Sequence, residues 1–229
     1  MGEMISKSSI TGRDGTGKTT AVDSVSQMLA KNHRVGVMTS LRSPSYLLIN
    51  DQKRLLFPNL TNKIAKVYDR GQGSNNTLTI LGSLFCHIVL QQRFIEPKMA
   101  RDYNLDFIIR DRDPIADSIV MFMVYGMRGL SIRLMMNVVE AVVGKKVRTD
   151  NLFLLTAQSK VLSERNRKNI KLDKHESPET SEKMAMLYRI VARSLMDLGR
   201  IGNLTNINTG ENDQKSTAQK IYGELIKSK

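Results

Sequence analysis

The sequence predicts a three-layer α/β/α fold around a central, mainly parallel sheet, and three observations predict it. Short apolar runs of strand length alternate with longer runs of helical period, the pattern of strands joined by crossover helices. Near the start, Gly12-Arg13-Asp14-Gly15-Thr16-Gly17-Lys18-Thr19-Thr20 fits G-x-x-x-x-G-K-[ST] at every fixed position, a motif that belongs between a strand and a helix. The 229 residues, 41% of them hydrophobic, suit one globular domain over residues 1–229 with a sizeable core.

The elements follow in order. A strand over about residues 4–10 must deliver the glycine-rich loop, yet Ser6, Lys7, Ser8 and Ser9 make it polar for a buried parallel strand. A helix then carries Val22, Val25, Met28 and Leu29 on one face. Residues 34–41 read as a second strand, stopped by Arg42-Ser43-Pro44, and between Ser45 and Asn76 the signals are mixed. Residues 78–99 have helical spacing in Leu81, Leu84, Phe85, Ile88 and Val89; Cys86 lies in this run and is expected to pack as a small hydrophobe. Residues 105–109 form a buried strand ending in Arg110-Asp111-Arg112-Asp113-Pro114. A Met-rich helical region follows, with breaks near Gly126 to Gly129 and at Gly144. Residues 151–156 make another buried strand. A basic segment with Arg165, Arg167, Lys168, Lys171 and Lys174 comes next. Ser177-Pro178 reads as an N-cap with proline at the first helical position, opening a helix to about Leu198. Residues 204–207 are the last strand and 218–226 a closing helix.

The loop's spacing has a chemical reason. Its glycines let successive backbone N–H groups turn toward a phosphate chain, and the following helix adds its positive end. Gly12, Arg13, Asp14, Gly15, Thr16, Gly17, Lys18, Thr19 and Thr20 are therefore the candidate nucleotide cradle. Within it Lys18 reaches the outer phosphates and the Thr19 hydroxyl holds Mg²⁺. The fold class is thus a P-loop NTPase. Arg42 and Arg112 each follow a strand, and in a parallel sheet strand C-termini share the ligand-binding edge. A guanidinium fork at each position suits a second phosphate group. The basic segment, about residues 158–177, reads either as a short cationic lid over a transferring phosphoryl group or as a solvated helix face.

Composition narrows the partners. The formal net charge is +13, from 35 basic and 22 acidic residues, which favours polyanionic ligands. The basic residues are scattered, aromatics are 5% and tryptophan is missing, so nucleic acid is a poor candidate partner. Cys86 is the one cysteine and no charged-then-apolar leader is seen, which points to the cytoplasm. The apolar run from Ile115 to Val124 is too short for a bilayer and contains Asp117, so no membrane association is expected.

Together these residues resemble the thymidylate kinase family along essentially the whole chain. Gly12 to Thr20 is similar to its phosphate loop, Arg42-Ser43-Pro44 to the loop after its second strand, Ile95-Glu96-Pro97 to the end of its central helix, and Asp111-Arg112 to its Asp-Arg-Tyr motif. Arg165-x-Arg167, Leu172-Asp173 and Glu176 are similar to its lid and the helix beyond. The resemblance implies that ATP gives its γ-phosphoryl to a deoxynucleoside monophosphate, dTMP above all. Lys18, Arg112, Arg165 and Arg167 would be catalytic, and Asp14, Arg42 and Arg112 would hold the acceptor. Thr19 and Asp111 would hold Mg²⁺. It also implies a homodimer, with the Met-rich region from Met121 to Met136 as an interface. Gly15 stands where some members have a loop arginine, so the chain looks like the class that carries its arginines in the lid.

Departures fall where the base should be read. Asp113, Ala116, Val120 and Met121 replace the usual aromatic, serine and aromatic-plus-Gln positions, and His87 and Ser83 stand where an arginine and a stacking phenylalanine are expected. Phe85, Arg93 or Tyr68-Asp69-Arg70 could substitute. Three alternatives stay open: a deoxynucleoside kinase, a nucleotide-binding protein without catalysis, and a nucleic-acid-dependent ATPase. The first would want a carboxylate base after the second strand, where Ser40 and Leu41 stand.

Overall fold

The structure is a computed structural model that describes residues 5–13, 15–39, 45–49, 52–56, 66, 82, 86, 88–124, 129–144, 146–158, 161–162 and 178–228. Its elements are β1 (Ser6–Gly12), α1 (Lys18–Ala30), β2 (Val35–Met38), β3 (Tyr46–Ile49) and β4 (Gln52–Leu55). A π-helical stretch (Leu90–Ile95) then runs into α2 (Glu96–Asp102). Next come β5 (Phe107–Asp111), α3 (Pro114–Val124), α4 (Ile132–Val143), β6 (Thr149–Thr156), α5 (Pro178–Asp197), β7 (Ile201–Asn208) and α6 (Gln214–Lys227). The sheet has seven strands in the order β4-β3-β2-β5-β1-β6-β7. Pairing from β2 through β7 is parallel, while β3 and β4 add an antiparallel edge.

Period-2 alternation sorts the core into two faces. Ile10, Phe107, Ile109, Phe153 and Leu155 pack against α1 and α6. From the other face, Leu152 and Leu154 meet α3, α4 and α5, and Ile108 meets α2. The three layers predicted from sequence are therefore present.

Several expected elements change. The third predicted strand does not stop at Ile109 but carries Arg110 and Asp111 inside it, both buried. The mixed region after Ser45 contains the β3–β4 hairpin. Pro97 does not end the central helix, which continues to Asp102. The turns before it are π-helical, with the Glu96 N–H donating to the Gln91 carbonyl, so the helix is already in a widened register where the proline enters. Cys86 is exposed, contrary to the expected packing. Met135 and Met136 lie in the chain's own core, so they do not form the surface expected of an interface.

The polar character of β1 has a structural cause. It lies inside the sheet, between β5 and β6, and its side chains toward α2 and α3 enter a buried polar seam. Lys7 pairs with Glu96 at 3.0 Å. Arg110, 1% exposed, donates to Glu96 at 2.7 and 3.1 Å, to the Thr149 hydroxyl at 2.9 Å and to Ser9 at 3.4 Å. Thr149 in turn donates to Asp113 at 2.6 Å, and Thr11 donates to Asp117. On the opposite face, Ser8 accepts from Asn151 at 3.3 Å. Buried polar groups must be satisfied, and here β1 supplies the partners.

Candidate functional site

The glycine-rich loop leaves β1 at Gly12, whose φ is +143°. A Cβ there would stand 2.3 Å from the Leu155 carbonyl oxygen, so only glycine lets the loop pass β6 so closely. Gly17 caps α1 in the left-handed conformation, φ 82°, and Lys18 is the first helical residue. Between them the loop is tied across itself at the Arg13 carbonyl, which accepts from the Thr16 hydroxyl at 2.7 Å and from Lys18 Nζ at 2.8 Å. Lys18 is buried, and the N-terminal end of α1 lies beside it.

Next to this loop stands the end of β5. The Thr19 hydroxyl donates to Asp111 Oδ2 at 2.9 Å. The other carboxylate oxygen, Oδ1, is buried and has no hydrogen-bond partner among the described residues. A buried carboxylate oxygen left over beside a hydroxyl is an unmet demand for a cation or water. Oxygen donors of this kind suit a hard divalent ion that takes its remaining ligands from phosphate and solvent. Among the described residues no cluster of three or more His, Cys, Asp or Glu could hold a metal by itself. Thr19 and Asp111 fit Mg²⁺ in that shared sense.

Arg112 follows directly, with φ +91°, a left-handed backbone rare outside glycine. Its N–H donates to the Ile10 carbonyl at 2.9 Å, and its guanidinium meets Asp117 at 3.0 Å. Asp117 stands in the first turn of α3, where Asp113 caps the helix by accepting from the Ile115 and Ala116 amides at 3.1 and 2.9 Å. Burial pushes the Asp117 carboxyl above the usual carboxylate range, while Arg112, Thr11 and Lys18 act in the opposite direction.

A cavity of roughly 400 Å³ joins these parts. Gly15, Thr16, Gly17, Lys18, Thr19 and Thr20 form one wall, and Asp111 and Arg112 another. The third wall, Thr209, Asn212, Gln214 and Thr217, was not read from the sequence. It lies just past β7, where Thr209 N donates to Thr156 O at 2.7 Å and Asn212 to the Asn208 carbonyl at 2.7 Å. Position beyond a strand's C-terminal end is the signal that could have found it.

The remaining sequence candidates are placed as follows. Gly12 and Arg13 border a second, smaller cavity with Leu155, Ala185 and Tyr188. Asp14, Arg42, Arg165 and Arg167 lie outside the described residues, as do Ser83, Phe85, His87 and Tyr68-Asp69-Arg70. Arg93, in the π-helical stretch, is near Gly144, with Nη1 3.9 Å from where a Cβ would stand.

A structure of thymidylate kinase from Candida albicans matches with a TM-score of 0.64 over 98% of this chain and 93% of that one, at 14% identity. The chain shares the α/β fold of that structure, a mainly parallel sheet with helices on both faces. That likeness is of fold, since 14% identity carries no residue-level message. No family model matches the sequence, and no curated protein matches it either. Among the described residues no helix is long and apolar enough to cross a membrane.

Proposed function

We propose that this protein transfers the γ-phosphoryl group of ATP to a deoxynucleoside monophosphate, with dTMP as the first acceptor to test. The carrying observation is that a phosphate loop, a Thr–carboxylate pair and an arginine line one cavity at the C-terminal edge of a parallel sheet. A nucleotide-binding loop alone would account for a bound triphosphate. Arg112 on the facing wall adds a phosphate-binding cation for a second substrate.

In this reading an acceptor phosphate oxygen attacks the γ-phosphorus, the bond to the β–γ bridging oxygen breaks, and ADP leaves. Catalysis of that step is mostly positioning and charge stabilisation. The loop amides and the end of α1 orient the donor phosphates. Lys18 moves from the Arg13 carbonyl to the transferring group, where its charge lowers the transition state. Arg112 holds the acceptor phosphate. Thr19 and Asp111 would hold Mg²⁺, which would supply positive charge to offset that of the donor phosphates. Asp14 beside the acceptor, Arg42 on its phosphate, and Arg165 and Arg167 on the transferring group rest on the sequence resemblance.

A coupled ADP-release assay over the nucleoside monophosphates tests the reading. The expected result is Mg²⁺-dependent ADP formation that requires a monophosphate, with dTMP the strongest acceptor. Folded protein that turns over none of them would refute it. Homodimerisation, implied by the same resemblance, is tested by sedimentation.

A further inference from the structure

The geometry points to Asp117 as a positioning residue: its carboxylate fixes the Arg112 guanidinium at the cavity edge and so sets affinity for the acceptor phosphate. This rests on the kinase reading above. One carboxylate serves two neighbours, Thr11 and Arg112, the latter at 3.0 Å. Thr11 is the last residue before Gly12, so Asp117 ties the root of the phosphate loop to the arginine facing it. Arg112 has left-handed backbone geometry and an amide bond to Ile10, so its main chain is held in a conformation that persists only when its surroundings impose it. Asp117 itself cannot drift. The first turn of α3 is capped by Asp113, and Asp113 is held through Thr149 to the buried Arg110–Glu96 pair.

Stability alone does not call for this charge. The Asp117 side chain is 14% exposed, and burial outweighs the help it receives from Arg112, Thr11 and Lys18, which face it from the β5–α3 junction, β1 and α1. A neutral amide of the same shape would sit there at lower cost. What the carboxylate adds is a charge-assisted hold on one arginine nitrogen, which narrows the rotamers open to that side chain.

The test is Asp117→Asn in the full chain, with steady-state kinetics for both substrates and a thermal midpoint. The acceptor KM is expected to rise about tenfold, the equivalent of one charge-assisted hydrogen bond, with the ATP KM within about twofold of wild type. The midpoint should hold or rise, and Asp117→Glu should recover part of the lost acceptor affinity. An unchanged acceptor KM would overturn the proposal. So would a parallel rise in the ATP KM, a fall in the midpoint, or failure of the Asn variant to fold, since each marks a structural role. If wild-type protein turns over no monophosphate, the kinase reading itself fails and this proposal falls with it. Retained wild-type turnover with an indifferent Asp117→Asn sinks this proposal alone.

Discussion

Replacing Glu96 with leucine should destabilise the fold far more than a surface ion pair would. Glu96 is 2% exposed and Arg110 is 1% exposed, and the two meet through 2.7 and 3.1 Å bonds. With Glu96 gone, the described partners of the buried guanidinium are the neutral hydroxyls of Ser9 and Thr149. An uncompensated buried charge costs about 3–5 kcal/mol, against a total stability on the order of 5–15 kcal/mol. At about 2–4 °C per kcal/mol for a chain of this size, the midpoint should fall by roughly 6–20 °C. Lys7 also loses a partner, but at 34% exposure that contribution is small. Urea denaturation followed by circular dichroism reads the change as a shift in midpoint at constant slope. The double variant Glu96→Leu/Arg110→Met removes both charges and should regain most of the loss. A single variant costing less than about 1 kcal/mol, or a double no better than the single, would show that the seam does not depend on this pair.

Three further outcomes follow from the site and its supports. Lys18→Ala should lower kcat by about 10²–10³ or more with far-UV dichroism unchanged, because it removes charge stabilisation and not packing; single-turnover kinetics would show whether the chemical step is the one lost. Gly12→Ala should cost at least about 1–3 kcal/mol of stability, through strain at φ +143° and the Leu155 clash, and thermal melts of the purified variant measure it. Asp213 caps α6 through Ser216 N at 2.6 Å, and its hydrogen bonds with Ser216 hold its carboxyl below the usual range. Its folded pKa being lowered, its contribution is present above the unfolded carboxylate value and lost as pH falls through the folded one. The stability gap between wild type and Asp213→Asn should therefore be widest near neutral pH and close in strong acid.

The sequence made the layered fold legible because its strands and helices carry clear periods. Val22, Val25 and Leu29 are indeed buried on one face of α1. Strand β1 was the difficulty, since serine and lysine contradict a central strand when the residues opposite them are unknown. Arg110 hid the answer: inside an Arg-Asp-Arg-Asp run it reads as loop, and its burial appears only once Glu96 and Thr149 are brought to it from distant positions. The β3–β4 hairpin was missed because Gln52-Lys53-Arg54-Leu55 is exposed throughout, leaving no alternation to read. At the site, the loop and Asp111-Arg112 were legible as motifs. Thr209 and Asn212 were not, because no motif marks a wall made by position past β7, and Asp117 shows its partnership with Arg112 only through the helix that carries it.

The most direct measurement is product formation itself: wild-type protein, ATP, Mg²⁺ and dTMP, with nucleotides separated and quantified over time. The proposed function predicts dTDP and ADP in equal amounts, lost when Mg²⁺ is chelated and lost in Lys18→Ala. ATP hydrolysis that ignores the monophosphate, or ATP bound with no diphosphate formed from any acceptor, would contradict the account.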